Sequence, residues 1–331
     1  MRILVDAMGG DNAPLEILKG CKLAADEYGY DIILCGDEGR IRRILDENGL
    51  TSEKFAFADA PDAIEMTDHA DAVVKEKKDS SMAVGLRLLK AGEGDAFVTA
   101  GNTGAALVGS SLILRRIKGI KRAAIATILP ARNGTSMLID CGANVECKAE
   151  YLNQFGLMGS LYVKAVLGIE TPRVGLLNNG AEATKGAPLQ VEAYKLLSEN
   201  PYIHFIGNIE GRDGPLGAAD VIVCDGFTGN VYLKTMEGMG QLILKSLKDI
   251  LLANAKTKFG GLLLKSQIES FRRTFDYREY GGAPLLGIDG AVIKAHGSAD
   301  AVTIKNALKQ AASFAESGVN ESLREAVFEI S

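Results

Sequence analysis

Polar clusters recur along this sequence, and each follows directly on a short apolar run. They combine glycine, which lets a backbone approach a ligand, with Asn, Thr, Ser, Lys or Asp, whose side chains hydrogen-bond to oxygen. The clusters begin at Asp6, Ala100, Asp140, Asn178, Gly207, Asp225 and Lys294. Backbone N–H groups at a helix start bind anions, and Lys185, Lys294 or His296 could assist them. The clusters therefore predict a polar, phosphate-sized site, although the same residue types dominate ordinary turns.

The segments around these clusters predict the elements that position them. Ten apolar or β-branched runs have the length of buried strands, and helical patterns cover residues 14–28, 104–117, 149–167 and 189–199. Strands that alternate with helices predict βαβ units and a mostly parallel sheet. We therefore predict a Rossmann-like α/β/α sandwich that spans residues 1–331 as a single domain. Because ligands bind beyond the carboxyl ends of parallel strands, we expect the clusters to share one edge of the sheet.

Composition excludes several classes of protein. The chain has 331 residues, of which 47% are hydrophobic and 24% charged, and these values argue against wholesale disorder. A net charge of −5 argues against a protein built to coat nucleic acid. The five cysteines form no CxxC pair, which favours reduced, mostly buried thiols over disulfides or structural zinc. Asp6 ends the first apolar run too early for the apolar region of a signal peptide. No apolar run approaches the ~20 residues of a membrane span, so we expect a soluble, cytoplasmic protein.

Missing motifs narrow the chemistry further. The sequence has no GxGxxG after a strand, no GxxxxGK[ST], no HExxH and no GxSxG. These absences argue against a dinucleotide fingerprint, a P-loop, a zincin protease and a nucleophile-elbow hydrolase. Of the three histidines, His204 lies in an apolar run and is interpreted as a core residue, and His69 is expected to be exposed. His296 lies in a strand-end cluster, where it could have a role in the site.

Nine motifs, in order from Asp6 to Ser298, identify a family resemblance. They are VDAMGGDNAP, KKDSSM, TAGNTGA, DCGANVE, LLNNGAEATKG, FIGNIEGRD, CDGFTGNVYLKT, YGGAPLLG and KAHGS. Together they resemble the PlsX family of bacterial phosphate acyltransferases of phospholipid synthesis. The resemblance implies transfer of a long-chain fatty acyl group from the thioester of acyl-carrier protein to inorganic phosphate. It also implies that the acyl phosphate product is the donor for a membrane glycerol-3-phosphate acyltransferase.

Further expectations come with this resemblance. The family is similar in fold to phosphate acetyltransferases and to the isocitrate/isopropylmalate dehydrogenase group. It implies a cytoplasmic homodimer loosely attached to the membrane, with no required metal or organic cofactor. Many relatives have His in place of Asn12, so an acid–base histidine is not expected at that position, and many have Thr in place of Ala181.

The resemblance, combined with the strand-end clusters, predicts roles for individual residues. Phosphate near neutral pH is already nucleophilic, so the protein must hold it against the thioester carbonyl and stabilise the developing oxyanion. We predict phosphate binding at Gly101, Asn102, Thr103 and Gly104, with Asp6, Asn144 and Asn178 nearby and Lys185 assisting. His296 and Ser298 are predicted to donate hydrogen bonds toward the oxyanion or the leaving thiolate, and Asp225 and Asn230 to shape the site.

Residues 241–273 form a basic, amphipathic helical segment. Its seven Lys or Arg against Asp249 and Glu269 give +5 within a chain of −5. The apolar stripe is predicted to break at Gly260-Gly261. Three interpretations stay open: a packing or dimer face, docking of the acidic carrier protein, or peripheral contact with anionic lipid. The last two would use Lys245, Lys248, Lys256, Lys258 and Lys265.

A second basic run lies at residues 115–122. This run, RRIKGIKR, carries five positive charges in eight residues, which is typical of a solvated helix end or of a carrier-protein contact. Three rival functions are an NAD-dependent β-decarboxylating dehydrogenase, a short-chain phosphate acetyltransferase that uses coenzyme A, and a non-catalytic phosphate- or lipid-binding protein. None of them accounts for the nine ordered motifs.

Overall fold

The computed structural model describes residues 1–132, 134–274 and 281–330. Tyr280 of the motif YGGAPLLG and the side chains of Arg272 and Arg273 lie outside the described residues. The strands are β1 (Arg2–Asp6), β2 (Asp31–Gly36), β3 (Phe55–Asp59), β4 (Ala96–Thr99), β5 (Ala124–Ala131), β6 (Gly134–Ile139), β7 (Arg173–Asn178), β8 (His204–Glu210), β9 (Val221–Val223), β10 (Gly282–Leu286) and β11 (Ala291–Ala295).

The helices lie between these strands and at the carboxyl end. They are α1 (Leu15–Tyr28), α2 (Glu38–Glu47), α3 (Ser81–Lys90), α4 (Thr103–Gly109), α5 (Ala149–Leu167), α6 (Pro188–Glu199), α7 (Gly226–Leu252), α8 (Ala255–Leu263), α9 (Lys265–Thr274), α10 (Ala301–Glu316) and α11 (Val319–Ile330). Ala70–Val74 forms a 3₁₀ turn, and Ser110–Leu114 continues α4 as a wider π-type turn. The predicted helices correspond to α1, α4 with its continuation, α5 and α6.

The architecture is a three-layer sandwich, as predicted. Successive residues of a strand point to opposite faces of a sheet. Ile3 and Val5 of β1 accordingly join a core with α1, α5 and α10, whereas Leu4 joins a second core with α3 and α4. Both cores are mostly aliphatic, and α1 packs closely on α10 at Gly20, where a Cβ would lie 2.5 Å from Ile304 Cβ. A side chain at position 20 would force these two helices apart.

The sheet consists of two parallel halves that run in opposite directions. Its strand order is β3-β2-β1-β4-β11-β10-β5-β6-β9-β7-β8. β10 pairs antiparallel with both β11 and β5, and β5 pairs antiparallel with β6, while the strands within each half are parallel. The carboxyl ends of β1, β4 and β11 therefore lie at one edge of the sheet, and those of β6, β7 and β9 at the other. The expectation that all the strand-end clusters share one edge is wrong, because periodicity alone does not report strand direction.

Candidate active site

The strand-end residues form two groups. Cluster A contains Asp6, residues 99–104 and residues 294–298. Cluster B contains residues 140–144, 178–186 and 225–230. Of the predicted site residues, cluster A holds Asp6, Gly101, Asn102, Thr103, Gly104, His296 and Ser298, and cluster B holds Asn144, Asn178, Lys185, Asp225 and Asn230. The structure thus divides the predicted site between the two halves of the sheet.

Asp6 forms the buried base of cluster A. Only 2% of the residue is exposed, and its carboxylate accepts hydrogen bonds from Ser81 Oγ at 2.6 Å and Thr99 Oγ1 at 2.7 Å. Burial raises the pKa of this carboxyl group, against the opposing effect of those hydrogen bonds. Thr99 Oγ1 in turn accepts a bond from the Gly101 N–H at 2.9 Å. Asp6 is therefore placed to fix the backbone of residues 99–101.

Lys294 is a buried cation beside the same backbone. It is 6% exposed, and its Nζ donates to the carbonyl oxygens of Ala100, at 3.2 Å, and of Ala295. Burial lowers the pKa of Lys294 to about 8, although Asp6 and Asp11 raise it. The sequence signal for this residue is a lysine within the otherwise apolar run AVIKA. The ammonium group adds positive charge beneath residues 100–104.

The side chain of Asn102 has a structural role. Its Oδ1 accepts from the Ala105 N–H at 3.0 Å and so caps α4, while Nδ2 donates to the carbonyls of Met66 and Asp68, both at 3.1 Å. This engagement leaves the backbone of residues 103–104 and the exposed Thr103 hydroxyl to face a ligand. The first-turn N–H groups of a helix have no partner within the helix, which suits them to an anion.

His296 and Ser298 form an ordered pair at the end of β11. The Ser298 N–H donates to His296 Nδ1 at 3.2 Å, and Ser298 Oγ lies 2.8 Å from the same nitrogen. An Nδ1 that accepts from a backbone amide carries no proton, so the neutral ring holds its proton on Nε2. Partial burial, followed by Lys234 and Lys294, lowers the pKa of His296. Asn12 Nδ2 supports this turn by donating to Ser298 O at 3.2 Å.

In cluster B, Asn144 and Asp225 fix the start of α7. Asn144 donates from its backbone and side-chain nitrogens to the buried Asp140 carboxylate, at 2.6 and 2.9 Å. Asp225 caps α7 by accepting from Thr228 N at 2.8 Å and Thr228 Oγ1 at 2.7 Å. The helix start packs so closely on the β6 end that a Cβ at Gly229 would lie 1.9 Å from Asp140 O. Glycine at position 229 is therefore required for this packing.

The loop between β7 and α6 presents Lys185. Asn178 Nδ2 donates to Lys185 O at 3.1 Å, and the buried Asn208 Nδ2 donates to Glu182 O at 2.7 Å. The Lys185 side chain is exposed. A cavity of about 490 Å³ lies between this loop and α7, lined in part by Leu177, Asn178, Thr228, Val231 and Tyr232. Its wall is mostly apolar, with amide groups from the β7–α6 side and threonine hydroxyl groups from α7.

One face of α7 connects the two clusters electrostatically. It carries Asn230, Lys234 and Glu237, which are three or four residues apart and therefore share a side of the helix. Asn230 Nδ2 donates to Cys141 O at 3.3 Å, and Lys234 Nζ lies 2.8 Å from Glu237 Oε2. Lys234 and Glu237 influence the pKa of both His296 in cluster A and Cys141 in cluster B. Lys234 and Glu237 are residues of this region that the sequence did not predict.

The cysteines are free, as predicted, and four of the five are buried. Burial raises the pKa of Cys21, Cys35, Cys141 and Cys224 far above that of an ordinary thiol. The half-buried Cys147 has its pKa raised to about 11, again chiefly by burial. A thiol must ionise to act as a nucleophile. None of the five thiols is therefore prepared to carry an acyl group.

Residues 241–273 extend beyond the sandwich as a helical arm. The helix breaks lie at Asn254, whose side chain caps α8, and at Leu264. The predicted break at Gly260-Gly261 is wrong, because that pair lies within α8. The main packing partners of α8 and α9 are α7 and each other. Large apolar side chains are exposed along the arm: Leu242, Ile243, Ile250, Leu252, Phe259, Leu262, Leu263, Leu264 and Phe271.

Other predictions concern charge and exposure. The lysines at 245, 248, 256, 258 and 265 are all exposed. His69 is exposed as expected, but His204 is exposed too, so its interpretation as a core residue is wrong, because it begins the edge strand β8. Among the described residues, no helix is both long and apolar enough to cross a bilayer. Within the same ranges, no three His, Cys, Asp or Glu side chains are grouped as metal ligands.

Comparison with known proteins agrees with this architecture. Residues 1–322 match the family model described as "Fatty acid synthesis protein". The phosphate acyltransferase of Acetivibrio thermocellus is 48% identical over 326 residues, which cover 98% of this chain and 96% of that protein. A phosphotransacetylase from Streptococcus pyogenes has a similar fold, with a TM-score of 0.66 at 16% identity, covering 95% of this chain and 94% of that one. A 4-hydroxythreonine-4-phosphate dehydrogenase from Klebsiella pneumoniae reaches 0.54 at 12% identity, with 96% and 98% covered.

Proposed function

The chain belongs to the phosphate acyltransferase family and transfers an acyl group to phosphate in fatty acid and phospholipid synthesis. From that premise we propose that the donor is a long-chain fatty acyl group, carried as a thioester on acyl-carrier protein. The carrier thioester gives its acyl group to inorganic phosphate and leaves as a free thiol. The acyl phosphate is then consumed by a membrane glycerol-3-phosphate acyltransferase. The reaction is direct, without an acyl-enzyme.

The observation that supports direct transfer, without an acyl-enzyme, is the burial of the thiols together with the hydrogen bonds of Ser298. The five thiols are held in the protonated form by burial. Ser298 Oγ lies 2.8 Å from His296 Nδ1, and that nitrogen also accepts a hydrogen bond from the Ser298 backbone N–H. These contacts fix the imidazole ring so that its Nε2–H can donate a hydrogen bond to a ligand. Phosphate supplies its own nucleophilic oxygen. A site that positions phosphate and stabilises an oxyanion therefore suffices.

In this mechanism cluster A holds the phosphate. The first-turn N–H groups of α4 and the Thr103 hydroxyl bind its oxygens, and Lys294 adds positive charge from below. Lys185, which cluster B presents, supplies a second positive charge to the phosphate in this proposal. A phosphate oxygen attacks the thioester carbonyl carbon, the new C–O bond forms and the C–S bond breaks. His296 donates its Nε2 hydrogen bond to the oxyanion and then to the departing thiolate, which takes its proton finally from solvent.

The acyl donor enters along the cavity beside α7. Its apolar wall, formed by Leu177, Val231 and Tyr232, suits the thioester arm and the first carbons of an acyl chain. Asn178 and Thr228 offer polar partners for the amides of such an arm. The cavity lies at the start of α7, and Lys234 of this helix influences the pKa of His296 in cluster A, so in this proposal the thioester reaches from the cavity along α7 toward the phosphate.

The arm serves assembly and membrane contact in this proposal. The exposed apolar face of α7 pairs with a second copy of the chain and makes a homodimer. At the tip, Phe259, Leu262 and Leu263 are about two-thirds exposed, and Lys256 and Lys258 lie on the same helix. Apolar side chains beside lysines favour an anionic lipid surface. Peripheral attachment there would place the cytoplasmic enzyme next to the acyltransferase that uses its product.

The test is a transfer assay with purified protein. Palmitoyl-acyl-carrier protein and phosphate should give free thiol and acyl phosphate in equal amounts. Thiol release without phosphate would indicate a thioesterase, and preference for acetyl-coenzyme A would favour the short-chain phosphate acetyltransferase. Binding of either ligand without any turnover would favour the non-catalytic protein.

A further inference from the structure

A groove with an apolar floor lies on the face of the sheet occupied by α3 and α4. It has a volume of about 590 Å³ and runs between α3 and the turn at 110–114. Val73, Val74 and Ile113 form the floor. An apolar groove rimmed by polar residues is typical of a surface that receives another molecule.

The rim of the groove is strongly positive. Lys78, Arg87 and Lys90 line it, and among the described residues the lining contains no acidic side chain, although Asp79 lies beside Arg87. Arg87 donates to Lys78 O and lies 3.4 Å from Asp79 Oδ1, which fixes its guanidinium at the rim. Lys78 and Lys90 have no carboxylate within salt-bridge distance in the part of the chain that the structure describes. The basic run 115–122 continues from the end of the same turn.

The groove is connected to cluster A by α3. The first residue of this helix, Ser81, donates to Asp6 at 2.6 Å, whereas Arg87 and Lys90 lie further along it. At 1.5 Å per residue these two cations are about 9 and 14 Å along the helix from the buried base of the candidate site. A partner seated on the groove would therefore need a flexible arm to deliver a group to the site.

We propose that this groove is the docking surface for the acidic carrier protein, which inserts an amphipathic helix with its apolar side on Val73, Val74 and Ile113 and its carboxylates against Lys78, Arg87 and Lys90. The proposal rests on the donor assigned above. Charge complementarity selects this occupant: three cations around an apolar floor match one acidic amphipathic helix. Opposite charges at such a rim mainly accelerate association and set orientation. The arm then keeps its own role, because the docking surface lies on a different part of the molecule.

The test uses the double variant Lys78→Glu/Lys90→Glu and a matched control, Lys164→Glu/Lys195→Glu, on exposed lysines of α5 and α6. Each variant is assayed with palmitoyl-acyl-carrier protein and with S-palmitoyl-pantetheine, a thioester without the protein. The groove variant should raise KM for the carrier-protein substrate at least tenfold and leave kcat/KM for the small thioester unchanged. The control should change neither. Titration with apo-acyl-carrier protein should show the same loss of affinity in the groove variant. Added salt should weaken binding of this protein to the wild type.

Three results would overturn the proposal. One is an unchanged KM for the carrier-protein substrate in the groove variant. Another is equal loss with both thioesters, which would give the lysines a structural role. The third is loss of binding to phosphatidylglycerol vesicles with carrier-protein kinetics intact, which would assign the groove to lipid. Absence of acyl phosphate from either thioester in the wild type would instead contradict the proposed function, and carrier-protein titration would still test the surface.

Discussion

Lys294 and Ala100 join two strand ends at the floor of cluster A, with Lys294 Nζ 3.2 Å from Ala100 O. The Ala100 carbonyl belongs to the same peptide group as the Gly101 N–H, which donates to Thr99 Oγ1. Both ends of this peptide group are therefore fixed, one by a buried cation and the other through Thr99 by the buried Asp6. Residues 102–104 follow directly. The backbone that faces the proposed phosphate is held rigidly by groups that do not contact phosphate themselves.

Replacement of Lys294 by Met should weaken phosphate binding. Methionine fills a similar volume but removes the charge and both hydrogen bonds to carbonyl oxygens. Since the charge lies beneath the proposed phosphate, its loss should raise the phosphate KM about tenfold, which corresponds to about 1.4 kcal/mol. Since a hydrogen bond from a charged group contributes about 1.5–3 kcal/mol, the loss of the two bonds to carbonyl oxygens should also lower the free energy of unfolding, by about 1–3 kcal/mol. Steady-state kinetics and urea unfolding measure the two effects. Lys294→Arg should recover part of the phosphate affinity, and failure of both variants to alter KM would remove Lys294 from this role.

The pKa of Lys294 predicts a pH dependence. Since this pKa lies near 8, the ammonium charge is present below pH 8 and is lost above it. Phosphate affinity should therefore decline as the pH rises through about 8, and Lys294→Arg should move that decline to higher pH. The free energy of unfolding should change in the opposite direction. Because the pKa of Lys294 lies below its ordinary 10.5, the folded state binds fewer protons than the unfolded state between pH 8 and 10.5. The contribution of Lys294 to the free energy of unfolding therefore rises with pH over this range. The phosphate KM and the thermal unfolding midpoint, each measured across this range, report the two effects separately.

Particular residues show what the sequence could predict. Alternating apolar strands and helical patterns predict the layers, because each burial pattern depends on local periodicity. The divided site was not predictable in this way, because β10 and the β5–β6 pair reverse the sheet, and pairing between distant strands leaves no local signal. Asn102 illustrates a second limit. Its position predicts a polar contact, but its partners, Met66 O and Asp68 O, come from a loop more than thirty residues away.

His296 should affect the rate of the chemical step more than phosphate binding. His296→Ala removes the Nε2 donor, so kcat should fall about 10²-fold or more with the phosphate KM nearly unchanged. His69→Ala, at an exposed histidine, is the matched control. Because the pKa of His296 is below its ordinary 6.5, its contribution to kcat should be unchanged down to that pH and should fall only at lower pH, as the ring gains its second proton and loses the Ser298 N–H contact. A rise in phosphate KM without a change in kcat would contradict this role.

Lys185 should act on phosphate from the opposite side. Lys185→Ala removes an exposed cation that the β7–α6 loop presents, so the phosphate KM should rise roughly tenfold while the KM for the acyl donor changes little. Lys195→Ala, on the neighbouring helix α6, removes an equal charge outside the clusters and should be neutral. The two KM values come from initial rates with each substrate varied in turn. If Lys185→Ala and Lys195→Ala behave alike, Lys185 does not contact phosphate.

Charge reversal at the tip of the arm separates lipid contact from catalysis. Lys256→Glu/Lys258→Glu removes two cations beside Phe259 and Leu262, and each lysine near an anionic surface contributes about 1 kcal/mol. Binding to phosphatidylglycerol vesicles, measured by co-sedimentation, should therefore fall at least about 30-fold. Transfer from soluble palmitoyl-acyl-carrier protein should keep its wild-type kcat and KM, since the arm lies apart from both clusters. A raised KM for the carrier protein with vesicle binding intact would instead make the arm its docking surface, and a change in neither would leave the lysines without either role.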